Sequence, residues 1–287
     1  MKINLNEDFN AFNKLSLFEA EDEEVDTTFG DVDDIQLTGD VEEDFNTLIN
    51  TLQNNSFEEL GDELNDVVND PKLYDLLAMG FGDGELADVK MSSSPTALYV
   101  TSLLPSQSEI GLDNSLSYPL KQDCSHLFDD KPIKIVAPIV TYRKTFIVDG
   151  HHRWSQLYMI NPNAKIEAIN FNYDQPSPYR ALRNFQGAIA VANKDVPKSY
   201  SKVNNVYDMS KDQIKSYVDK NIQDVCWKSL VEVGVCEDRE SAIEYITNNA
   251  LTLKRDNFPP TNAPDREYMP QTDDKSIEVA KKGQTNI

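Results

Sequence analysis

The stretch TFIVDGHHRWSQLYMI, residues 145–160, sets Asp149, His151, His152 and Arg153 within five positions of one another. These residue types can hold a metal, move a proton or cradle a phosphate. They can also do no more than close the turn between a strand and a helix. A helix that starts after a glycine exposes N–H groups with no intrahelical partner, and its aligned peptide dipoles favour an anion there by roughly 0.3 to 1 kcal/mol. Gly150 allows the backbone to come close to such an anion. Arg153 adds a planar donor fork; each hydrogen bond to a charged group contributes about 1.5 to 3 kcal/mol. His151 and His152 can donate as well, or one can shuttle a proton near neutral pH.

Metal binding competes with that reading. Adjacent helical residues point about 100° apart, so two neighbouring histidines seldom reach one ion. There is no HExxH spacing, and the third histidine, His126, lies in a loop-like stretch. A catalytic zinc site is therefore disfavoured, whereas Asp149 with one histidine suits a Mg²⁺ carried on nucleotide phosphates. The plainest alternative is structural, with His151 capping the helix and His152 packed in the core.

The elements around the turn follow from periodicity. KIVAPIVTYRKTFIVDG predicts strands over 134–141 and 145–149, joined as a hairpin at Tyr142-Arg143-Lys144. Trp154, Leu157 and Tyr158 share one face of the helix that follows, NPN ends it, and IEAINF (166–171) supplies a further strand. Upstream, ALYVTSLLPSQSEIG reads as a short strand, a break at Pro105 and a polar turn into a helix. From Pro178 onward helical patterns dominate, one of them opened by a capping box of Ser210 and Gln213. Phe45, Leu48, Leu52, Leu60, Leu64, Val67 and Val68 recur at helical spacing nearer the N-terminus.

The chain thus divides into an acidic arm at 1–44, expected to be disordered alone, and an acidic helical segment at 45–90. An α+β domain at 91–176, a helical extension at 177–255 and an extended, weakly ordered tail at 256–287 complete it. MGFGDGELADVKMSSSP, residues 79–95, marks the boundary before the strands. Charge supports the division: residues 1–90 hold 25 Asp/Glu against 4 Lys/Arg, so they carry nearly all of the net charge of −22. Such an arm suits a protein partner, and nonspecific attraction to DNA phosphates is disfavoured. Cys124, Cys226 and Cys236 form neither a CxxC pair nor an even set, which points to a reducing, cytoplasmic setting or a particle assembled in one. No apolar run approaches the ~20 residues a membrane span requires, and the first residues lack a signal peptide's apolar core.

IVDGHHRWSQL resembles the Gly-x-His-Arg turn of the ParB and sulfiredoxin superfamily, and LLPSQSEIG resembles that family's first box, a strand running into a Pro-x-Gln turn. The resemblance covers residues 95–175. It implies an α+β fold with a small mixed-sheet core, here carrying helical N- and C-terminal extensions, that binds ATP or CTP with Mg²⁺. Gly150, His151, His152 and Arg153 would contact phosphates, with Gln107 and Glu109 facing the same pocket. Glu109, Asp149 and His152 are then the candidate catalytic residues for NTP hydrolysis or phosphoryl transfer, and Asp149 the candidate metal ligand. Sulfiredoxins place their reactive cysteine where this chain has His151, which argues against sulfinic acid reduction. Two other readings stand: a non-enzymatic interaction or virion-associated phage protein that keeps the fold, and a ParB-like nuclease. Partition proteins follow the domain with a basic helix-turn-helix. The corresponding EDRESAIEYI is acidic, so sequence-specific DNA binding is disfavoured.

Overall fold

The computed structural model describes residues 38–79, 91–172, 178–196, 204–260 and 262–285. Most of the acidic arm and of the glycine-rich boundary therefore lies outside the described residues. The chain forms two compact units, residues 1–51 and 52–287. In the first, the Thr38 and Gly39 N–H groups donate to the Asp44 carboxylate at 2.6 and 3.1 Å, and Asp40 accepts from the Glu43 N–H at 3.1 Å. Helix α1 (Val41–Asn54) follows, so helical backbone begins inside the span read as an arm.

The second unit opens with α2 (Phe57–Asn69), capped by a reciprocal Ser56–Glu59 box, and α3 (Pro71–Ala78), capped by Asp70 with Pro71 in the first turn. Four strands then form one mixed sheet: β1 (Ser92–Tyr99), β2 (Ile139–Tyr142), β3 (Phe146–Asp149) and β4 (Lys165–Asn172), in the order β1-β4-β2-β3. β2 runs parallel to β4, and the other two pairings are antiparallel. Between β1 and β2 lies the short helix α4 (Leu112–Leu116), and α5 (His151–Ile160) links β3 to β4. The described helices continue with α6 (Pro178–Asn193), α7 (Lys211–Asn221), α8 (Asp224–Glu232), α9 (Arg239–Asp256) and α10 (Asp274–Lys282). The fold is α+β, as the sequence leads one to expect.

Two strand boundaries move, each for a local reason. β1 starts at Ser92 and includes Pro95, which a strand tolerates at a sheet edge because no neighbour there needs its missing N–H. The strand expected over 134–141 is reduced to β2, because Pro138 removes a donor and Val136 takes φ 64°, outside extended backbone. The Ala137 N–H donates to the Ile135 carbonyl at 2.7 Å, which makes a γ-turn centred on a β-branched residue that is 92% exposed. A β-branched residue with positive φ stores on the order of 1 to 3 kcal/mol. Val136→Gly is therefore expected to raise stability by about 1 kcal/mol after glycine's unfolded-state entropy is deducted. An upward shift of the urea midpoint checks this, and a downward one would show that the turn is relaxed.

The β2–β3 hairpin forms, with its connection at Arg143-Lys144-Thr145, one residue later than the expected Tyr142-Arg143-Lys144, because Tyr142 still belongs to β2 and pairs with Phe146. Arg143 and Lys144 both take positive φ, 53° and 57°, as a turn matched to the strand twist requires, and the Thr145 N–H closes it on the Tyr142 carbonyl at 3.1 Å. The core lies under α5. Trp154, Leu157, Met159 and Ile160 are fully buried, and the Trp154 indole N–H donates to the Val100 carbonyl at 2.8 Å. α9 packs beside α5, with α7 and α8 behind it. α7 carries the Ser210–Gln213 capping box on both of its reciprocal bonds.

The segment read as an extended tail, 256–287, is partly helical. An Asp273–Ser276 box starts α10, Gly283 ends it in the left-handed region, and α10 packs along α6 with Ala280 buried.

Candidate functional site

β3 delivers Asp149 to the end of the sheet, and Gly150 turns the chain into α5 with φ 97°. No side chain caps α5, so the N–H groups of His151, His152 and Arg153 open the helix without a capping partner. They border a cavity of about 180 Å³ lined by Gln107, Asp149, Gly150, His151, His152, Arg153, Arg266, Met269, Pro270 and Gln271. Six of the seven site residues expected from the sequence thus line one cavity. Glu109 does not line it. Its carboxylate faces the segment near Arg266, accepting that residue's backbone N–H, and its acidity is weakened by burial and then by the Asp265 charge.

The two imidazoles are engaged inside the fold. The Ser106 N–H donates to His151 Nε2 at 3.0 Å, and the Gly111 N–H donates to His152 Nε2 at 3.2 Å. An Nε2 that accepts a backbone N–H is unprotonated, so each neutral ring carries its proton on Nδ1. Burial, and then the neighbouring charges of His152 and Arg153, hold His151 well below the usual imidazole range. Burial, and then the Arg266 charge, push His152 down to about 4. Both rings are therefore neutral at pH 7, with the Nε2 lone pair of each in use. They pin the loop from Ser106 to Gly111 against the start of α5.

Arg153 and Asp149 are also committed. Arg153 Nη1 donates to the Ala137 and Pro138 carbonyls, each at 3.2 Å, and Nη2 to Asp149 Oδ2 at 3.2 Å. The guanidinium thus clamps the strained turn at Val136 to the helix. Asp149 Oδ2 accepts in addition from Thr272, at 2.7 Å from Oγ1 and 3.3 Å from N. Among the described residues no group of three or more His, Cys, Asp or Glu side chains is placed to hold a metal ion, so Asp149 stands there as a single carboxylate. A Mg²⁺ at this site would have to draw its remaining ligands from phosphate oxygens and water.

Sequence reasoning missed the other wall. Arg266, Met269, Pro270, Gln271 and the Thr272 contact all come from the stretch read as tail. Its anchors are single non-local hydrogen bonds, which leave no periodic trace. The one usable signal was an arginine and a methionine set among prolines in NAPDREYMPQT.

The fold and site together define an α+β protein with a cationic cavity at an uncapped helix start. The chain matches no family model, no curated protein and no solved structure. Among the described residues no helix is long and apolar enough to cross a membrane.

Proposed function

We propose that this protein binds the phosphate groups of a nucleotide, ATP or CTP, at the start of α5, in the manner of the ParB and sulfiredoxin superfamily. One observation supports this above the rest: an uncapped helix start, reached through a left-handed glycine, borders a cavity that two guanidinium-bearing residues line. Binding is the better-supported part. The imidazole Nε2 atoms are already acceptors, so neither ring is placed to take a proton from an attacking group through that atom. The protein is on this reading a nucleotide-binding module, and Asp149 is the carboxylate left at the cavity for any phosphoryl chemistry.

Calorimetry with ATP, CTP, GTP and ADP in the presence of Mg²⁺ tests it. Binding of at least one of them is expected, weakened roughly 10- to 100-fold in Arg153→Lys, which keeps the charge but cannot hold the Ala137 and Pro138 carbonyls and Asp149 together at the cavity wall. The same samples should release no inorganic phosphate. Absence of heat with all four nucleotides would sink the proposal, and phosphate release abolished in Asp149→Asn would restore the enzymatic reading.

A further inference from the structure

The wall supplied by residues 264–273 is built. At one end the Ser108 N–H donates to the Pro264 carbonyl at 2.9 Å and the Ser108 hydroxyl donates to Asp265. At the other end Thr272 donates twice to Asp149. In the middle the Gln186 side-chain amide donates to the Tyr268 carbonyl, and Met269 is buried. Arg266 lies between these anchors, lines the cavity, and is close enough to His152 for its charge to depress that imidazole. Arg153, across the cavity, has Nη1 committed to two carbonyls and Nη2 to Asp149.

Gln107 adds an acceptor. It is 3% exposed, its Nε2 donates to the Glu109 carbonyl, and its Oε1 has no donor among the described residues. A cavity of about 180 Å³ is smaller than the ~300 to 1,000 Å³ that buries a drug-sized ligand.

We propose, resting on the phosphate reading above, that Arg266 is the specificity-determining cation of the site and that the cavity closed by residues 264–273 admits only the terminal phosphoryl end of its ligand. The helix N–H groups take the phosphoryl oxygens from one side and the Arg266 guanidinium from the other. The Gln107 amide oxygen accepts from a protonated phosphate oxygen. The nucleoside stays outside the cavity and contributes little to recognition.

The full chain and its Arg266→Gln and Arg266→Lys variants are titrated with inorganic phosphate, pyrophosphate, ATP and adenosine, with melting temperature recorded for each protein. The wild type is expected to bind pyrophosphate and ATP but not adenosine. Arg266→Gln should lose roughly 10- to 100-fold in affinity, and Arg266→Lys should recover most of it, while all three melt alike. Phosphate binding that survives Arg266→Gln overturns the assignment of Arg266 and leaves the phosphate reading standing. Equal loss in both variants assigns the effect to packing of the segment and overturns it too. Adenosine bound as well as pyrophosphate overturns the exclusion of the nucleoside, and no binding of any phosphate compound overturns the function proposed above together with this inference.

Discussion

Gly150→Ala is expected to cost roughly 2 to 4 kcal/mol, a fall in melting temperature on the order of 10 °C for a domain of this size, and to disorder the cavity. Two effects add. Gly150 has φ 97°, a region that an L side chain enters only under strain. A Cβ there would lie 2.6 Å from Ile139 Cγ2, and 2.9 and 3.0 Å from the Arg153 Nη2 and Nε atoms. Ile139 is fully buried on β2 and cannot swing aside, so the helix start would have to retreat from the sheet. Gly150→Asn separates the two effects, since asparagine tolerates positive φ but carries the same Cβ. It is expected to cost about 1 kcal/mol less than alanine, because the φ strain is relieved, while the Cβ clash keeps the variant well below the wild type in stability. Thermal unfolding of both variants decides: a mild Asn variant would place the whole cost in φ, and two mild variants would remove the close approach from the account.

The second large effect is acid destabilisation through the paired histidines. Folding lowers the His152 pKa from 6.5 to about 4 and moves His151 in the same direction. Between those values the unfolded chain takes up protons that the folded chain refuses, so stability rises with pH across that window. The contribution is complete above about 6.5 and is lost as pH falls toward 4; for His152 alone it is on the order of 3 kcal/mol. Glu63 works against it. Burial, and then the Glu59 charge, raise its pKa from 4.5 to about 7, so its contribution is present at low pH and lost as pH rises through about 7.

His152→Gln isolates the histidine part, because a glutamine amide oxygen can still accept the Gly111 N–H but does not titrate. Urea unfolding across the window should show a flatter loss toward acid in this variant than in the wild type. Parallel curves for the two proteins would mean that His152 titrates normally in the fold.

Much of this site was legible in advance because its parts are local. A β-rich run ending in Asp149-Gly150 and an amphipathic segment after it specify a strand, a turn and a helix within about fifteen residues, and the helix carries the buried Trp154 and Leu157 as its spacing demands. The Ser210–Gln213 box was readable for the same reason: both partners lie three residues apart. Glu109 was not readable. Its distance from the turn in sequence says nothing about which way a loop side chain points, and here it points toward residues 265–267. Residues 264–273 were hidden more completely, since hydrogen bonds to Ser108, Asp149 and Gln186 are made across more than 80 positions and obey no period. α10 is a different case. Its Asp273-x-x-Ser276 start and Gly283 stop stand in plain view, but the prolines before it drew attention to extended chain.

Adjacent imidazoles about 100° apart are poor partners for one ion, and the same divergence makes them good instruments of alignment. One ring meets the amide of Ser106 and the next meets that of Gly111, so two targets five residues apart in a loop are read by neighbours on a helix. Rotating α5 about its axis, or sliding it by one residue, breaks both bonds at once and leaves two backbone donors without acceptors. The histidine pair is in this sense a two-pin key that admits a single register between the loop and the helix, and whatever the cavity recognises inherits its spacing from that key.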